Sequence, residues 1–245
     1  MTTRSSTSTN ISEGSGTTIT GTMPSGTSSG DRLLVFIAQD TATIISPPSG
    51  QGFTNRVDLV NTGPDGQTSV FFEKINATGG ESLAFTSNSS KRAIIQVKAL
   101  SGRHSSTAST VSTATINNSA NAEPITVALT GLTAVSSDDI TWFAQLDQSN
   151  QTATFSWGSL SGYVQHQSSS NSDWISMACY GMDNATAGAT GTLTVLASAI
   201  VGAGSATAGY SGVVVATPVS SGTTSDPAAS TSRFTSSRHT FGIRR

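Results

Sequence analysis

The chain predicts an all-β fold: two tandem antiparallel β-sandwich repeats, jelly-roll or Ig-like, with extended N- and C-terminal arms. Three observations carry that reading. Helical periodicity is nearly absent across the 245 residues. Short apolar runs recur instead, bounded by Gly, Pro, Asn and Ser clusters, as strands and their turns are. Related segments return at a nearly constant spacing, the mark of a repeat.

Strand signals fall at residues 32–39, 67–75, 82–86, 92–100, 125–129, 140–146, 153–157, 174–180, 191–197 and 211–217. The first, Arg32–Gln39, contains the longest apolar run, Leu33-Leu34-Val35-Phe36-Ile37-Ala38. Around Ile95 and Val97, polar Gln96 and Lys98 alternate with the apolar residues, which predicts one buried and one wet face. Many short strands without helices point to a sandwich or a barrel. Asp65-Gly66 is a hairpin-turn signal.

The repeat is read from three pairs of segments. Gly30-Asp31-Arg32-Leu33-Leu34-Val35-Phe36 parallels Ser137-Asp138-Asp139-Ile140-Thr141-Trp142-Phe143. The stretch 49–53 parallels 159–163, and 69–78 parallels 176–186. The offsets are 107, 110 and 108 residues, with one small indel inside the last pair. The expected organisation is an N-terminal arm over 1–16, a first repeat over 17–103 and a linker over 104–114. A second repeat follows over 115–221, then a basic C-terminal arm over 222–245. Residues 103–122 also suit a weak edge strand, and a single sandwich with two similar halves is the rival arrangement. The polar arms have the composition of segments that do not fold alone.

Composition narrows the function classes. Charged residues make up 11% of the chain, about half the usual share, while 42 Ser and 37 Thr supply roughly a third of it. With a formal net charge of −2, this is not the highly charged profile of a disordered protein. No apolar run approaches the ~20 residues of a membrane helix, and no secretory leader is evident. Synthesis in a host cytoplasm, with no membrane partner, is therefore expected. Residues 104–232 hold no Lys or Arg but seven acids, whereas 233–245 hold four Arg and no acid. A nucleic-acid partner is not expected, because a usable footprint needs a basic patch across a folded domain.

Catalytic, cofactor and metal sites are not expected. His104 falls in the linker, His239 in the tail and His166 in a polar loop. Zinc, hydrolase and phosphate-loop patterns are missing. Asp138 and Asp139, at a strand start, point opposite ways and suit a turn. The single cysteine, Cys179, lies in an apolar strand and reads as a buried inert thiol. Trp142 and Trp174 read as core residues, and Trp157, before a Gly-Ser loop, as the aromatic to test for ligand contact. The expected assembly contacts are in the tail. There Phe234, Phe241 and Ile243 would anchor apolar area, and Arg233, Arg238, Arg244 and Arg245 would face an acidic neighbour.

The first repeat carries Gly-Asp-Arg-Leu-Leu-Val-Phe from Gly30, then Pro47-Pro48-Ser49-Gly50 with Gly52-Phe53-Thr54. Val70-Phe71-Phe72-Glu73-Lys74 and Ala93-Ile94-Ile95-Gln96-Val97 follow, ending at Leu100-Ser101-Gly102. This pattern resembles the tandem β-sandwich repeat structural proteins of tailed phages, used as head decoration, head fibre or tail-associated modules. The likeness is close over residues 17–103 and looser over 115–220, where the Pro-Pro and Phe-Lys elements are missing. It implies a non-enzymatic virion protein, a capsid decoration or cement protein on the head. Its partners would be other virion proteins, major capsid or tail, and copies of itself. The alternative it allows is a tail fibre or adhesin module that binds host surface glycan.

Overall fold

A computed structural model of the chain describes residues 5–12, 16–61, 67–90, 92–103, 105–117, 125–135, 137–148, 154–170, 175–183, 185–201 and 208–219. The seven tail residues named above, Asp65-Gly66, His104, Trp174 and His239 lie outside them. Among the described residues there are eighteen strands and no helix. In the first half they are β1 (Ser5–Ser12), β2 (Thr18–Thr20), β3 (Arg32–Gln39), β4 (Ile45–Ser46), β5 (Thr54–Asn61), β6 (Gln67–Lys74), β7 (Ala84–Ser87) and β8 (Ala93–Leu100). In the second they are β9 (Thr110–Asn117), β10 (Ile125–Leu129), β11 (Thr133–Ala134), β12 (Asp139–Gln148), β13 (Thr154–Trp157), β14 (Val164–Ser170), β15 (Ile175–Met182), β16 (Gly188–Ala189), β17 (Leu193–Val201) and β18 (Ala208–Thr217).

Among the described residues every pairing is antiparallel. One five-stranded sheet has the order β1-β8-β3-β6-β5, and the other β9-β18-β12-β15-β14. Three-stranded sheets β2-β7-β4 and β10-β17-β13, and a two-stranded ribbon β11-β16, complete the set. The arrangement is sandwich-like. In the first half Leu33, Val35 and Ile37 pack with Phe72, Ile95 and Val97 against Ile19 and Phe85 of the smaller sheet. In the second half Trp142, Ala144 and Tyr180 pack against Val127, Trp157 and Leu193.

The residues between those positions do not face water. Leu34, Phe36, Phe71 and Ile94 meet Phe143, Met177, Val213 and Val215 in a third cluster, between the two five-stranded sheets. Phe36 stacks on Phe143 with ring centroids 5.6 Å apart. All eight residues of β3 and of β8 are buried, as expected of strands covered on both faces. This corrects the alternation read in β8, because Gln96 is 1% and Lys98 0% exposed. The wet face of that reading is the seam between the sheets.

Contacts at each end of the seam fix its direction. The Lys98 Nζ donates to Thr141 Oγ1 at 2.9 Å, and the Ser69 and Ser211 hydroxyls share a hydrogen bond of 2.9 Å. Lys98 is paired with Leu34 at the start of β3, and Ser69 with Ala38 near its end. Thr141 opens β12, and Ser211 pairs with Gln145 near its end. Strands β3 and β12 therefore point the same way.

Both begin with the same turn. The Asp31 carboxylate accepts the Ser28 amide at 2.8 Å, and the Asp138 carboxylate accepts the Val135 amide at 2.8 Å. The Asp31 carbonyl accepts from Ala77 N, as that of Asp138 does from Ala185 N, each at 2.7 Å. The residue before each Asp is left-handed, Gly30 at φ +89° and Ser137 at φ +73°. Only the glycine takes that conformation without strain.

Two further stretches are paired into the large sheets. Strand β1 runs through the stretch taken as an N-terminal arm and pairs with β8 from Ser5↔Leu100 to Ser12↔Ala93. Strand β9 begins inside the expected linker and pairs with β18 over eight residues. Both are Ser/Thr-rich, and each is held by a backbone ladder, to which β9 adds Val111 packed against the cluster between the sheets.

Candidate functional site

The buried charges gather at the end of the seam where β3 and β12 begin. Arg32, first residue of β3, is 1% exposed, and its Nη1 lies 2.9 Å from Glu73 Oε1. Its other nitrogen donates to the Thr107 carbonyl at 2.7 Å. Glu73, on β6, also accepts the Ser109 amide at 3.1 Å and the Ser109 hydroxyl at 2.6 Å. Arg56 reaches it at 3.2 Å from a bulge in β5. Burial lowers the Arg32 pKa, and Glu73 acts against that shift. One carboxylate thus collects donors from β3, β5 and the segment leading into β9.

Across the seam the equivalent place holds a different set. His166 sits at the bulge of β14, as Arg56 does in β5. Lys98 from the first half reaches in beside it. Both crowd Gly181 of β15: a Cβ there would lie 2.2 Å from His166 Nε2 and 2.5 Å from Lys98 Nζ. Arg103 pairs with the fully buried Asp139 of β12. Burial presses the pKa of Lys98 down and brings that of Arg103 to about 10. Cys179, 1% exposed, is pushed up to about 12 by burial. A thiol so buried and so basic stays protonated and out of reach, so nearness to Lys98 and His166 does not activate it.

His166 departs from its reading as a solvated loop residue. Its ring is half-buried on a strand, and Nε2 is buried without a hydrogen-bond partner. Burial, then the nearby Lys98, lowers its pKa to about 4, against the opposing pull of Asp183. Above pH 6.5 the ring is neutral folded or unfolded. Between about pH 6.5 and 4 the unfolded chain takes up a proton that the folded chain refuses, so stability falls. We expect a loss on the order of 2 kcal/mol across that window. Chemical unfolding at pH 7 and pH 4.5 checks it, and His166→Gln should flatten the slope. Equal slopes for the two proteins would remove His166 as the cause.

Trp142 and Trp157 are structural. Trp142 is fully buried between Trp157 and Tyr180, at centroid distances of 6.2 and 4.9 Å. Trp157, the aromatic to test for ligand contact, is 7% exposed, and its indole N–H donates to Ser176 Oγ at 2.8 Å. The adjacent acids separate as read: Asp138 caps its turn and Asp139 enters the seam. Among the described residues no group of three His, Cys, Asp or Glu side chains could hold a metal ion. No helix among them is long and apolar enough to cross a membrane. A cleft of about 540 Å³ opens on the second half beside Tyr163 and the β11-β16 ribbon. Sequence reasoning missed both the seam cluster and this cleft.

Comparison with known proteins adds no relative: no family model, curated protein or solved structure matches the chain.

Proposed function

We propose that this chain is a non-enzymatic structural protein of a virion, a tandem duplication of one β-sandwich unit that decorates or cements the head of a tailed phage. The observation that carries the structural part is the seam. Its buried charges are tied to one another and to hydroxyl and backbone groups across two sheets, which makes them fasteners. Two such sheets joined face to face form a rigid block, suited to presenting loops and holding neighbours. The matched strand orders and the paired Asp31 and Asp138 turns support the duplication. The Gly-Asp-Arg-Leu-Leu-Val-Phe and Pro-Pro-Ser-Gly pattern supports the virion setting.

Quantitative mass spectrometry of purified particles tests this reading. A copy number that scales with the capsid lattice is expected. A few copies per particle would place the protein on the tail, and none would overturn the virion assignment. Deleting residues 233–245 should leave thermal unfolding unchanged and lower occupancy on particles. Reversing the four arginine charges should weaken attachment most at low salt, where screening is least. Wild-type occupancy of the truncated chain would end the role proposed for the tail.

A further inference from the structure

We propose that the cleft beside Tyr163 is a binding site for a neutral saccharide ring. This goes beyond the structural role and does not depend on where the protein sits in a particle. The floor is apolar: Ile140, Leu160, Met182 and Leu193 line it, and three of these are core residues under 9% exposed. The rim is hydroxylic, with Ser161, Thr186, Thr192 and Thr194 exposed around the half-buried phenol of Tyr163. None of the described residues lining it is Asp, Glu, Lys, Arg or His.

That lining selects a ligand class. A charged ligand would lose hydration with no counter-charge to meet it. A purely apolar ligand would leave the rim hydroxyls unanswered. A pyranose has an apolar C–H face for the floor and the Tyr163 ring, and an edge of hydroxyls for the threonines. The volume lies within the range usual for small-molecule pockets.

The cleft is also built rather than incidental. One wall is β16, paired to β11 through Thr133↔Ala189 and Ala134↔Gly188. Thr190 N donates to the Leu132 carbonyl at 2.8 Å, and Thr190 Oγ1 accepts the Leu132 amide at 3.0 Å. Gly131 is pressed so close that a Cβ would lie 1.7 Å from the Gly191 carbonyl oxygen. Among the described residues the first half has no such ribbon. There the counterpart of Tyr163 is Phe53, 9% exposed, its ring 5.4 Å from Phe85. The second half therefore offers a phenol and a wall where the first has a closed core.

The test is ligand-observed saturation-transfer NMR on the full chain. The probes are methyl α-glucopyranoside, methyl β-galactopyranoside and N-acetylglucosamine, with glucuronic acid and glucosamine as charged controls. At least one neutral sugar should bind with a Kd on the order of 1 mM, and the charged controls should bind at least tenfold more weakly. Tyr163→Ala should weaken binding tenfold or more. Because Tyr163 also packs against the core, Thr192→Trp at the exposed rim is the second variant. It should abolish binding while leaving the thermal midpoint unchanged. Failure of all three neutral sugars, equal binding of the charged ones, or full binding by Thr192→Trp would each overturn the proposal.

Discussion

Glu73→Ala should cost about 3–5 kcal/mol of unfolding free energy, the cost of breaking a buried ion pair from one side. The Glu73 carboxylate is the common acceptor for Arg32, Arg56 and the Ser109 amide and hydroxyl. Without it the Arg32 guanidinium, 1% exposed, loses the carboxylate that opposes the cost of its burial. The double variant Arg32→Met, Glu73→Met removes both charges and fills similar volume, so it should recover much of the loss. Urea unfolding of the three proteins, followed by far-UV circular dichroism, measures both effects. A single-variant loss below about 1 kcal/mol would show that the seam tolerates the loss of this carboxylate, and the fastening role would fail.

Trp142→Ala should be comparably severe, about 3–5 kcal/mol, as an indole is removed from a filled interior. Trp142 touches Trp157 and Tyr180 edge-on, so both rings lose a partner as well. Trp142→Phe provides the contrast. The Trp142 indole nitrogen has no hydrogen-bond partner, so the substitution sacrifices volume and no bond, and should cost under about 1.5 kcal/mol. Near-UV circular dichroism and the urea midpoint separate the two variants. Equal losses would mean that the indole packs no better than a phenyl ring there.

What the sequence made legible divides by position in the sheets. Strands β3, β6, β8, β12, β15 and β18 occupy interior places, and each has the apolar run that coverage on both faces demands. All six were readable to within a few residues. The four strands at the margins of the five-stranded sheets, β1, β5, β9 and β14, are not legible as firm strands. Pairing on one side only lets β1, β9 and β14 be rich in Ser, Thr, Gln and Asn, which look like loop, and lets β5 interleave Arg and Asp with its Val and Leu. Strands β2, β4, β11 and β16 are two or three residues long, too short to show a period. The seam was hidden because Gln96 and Lys98 alternate with apolar residues, the pattern of a solvated face, while Arg32 and Glu73 stand at the ends of apolar runs, where a strand ordinarily reaches water. Only a second sheet packed against them makes those positions interior. The cleft was hidden because its wall depends on Gly188 and Ala189, which carry no chemical signal. Its rim residues are ordinary in a chain rich in Ser and Thr.

The strand order also dictates how the chain can be made. Strand β1 pairs with β8, Ser5 against Leu100, so the first large sheet gains its margin only when nearly the whole first half has been synthesised. Strand β9 pairs with β18, Asn117 against Gly209, so the second waits for almost all the rest. Contacts of such long sequence separation slow folding, because the loop must close before the contact stabilises anything. In the interval, β8 offers an open ladder to a nascent chain that carries two similar suitors, β1 and later β9. The ribosome settles that competition by order of emergence, since β1 and β8 are both free before β18 exists. Refolding from denaturant has no such queue, and β9 can then enter the wrong sheet and must leave it again.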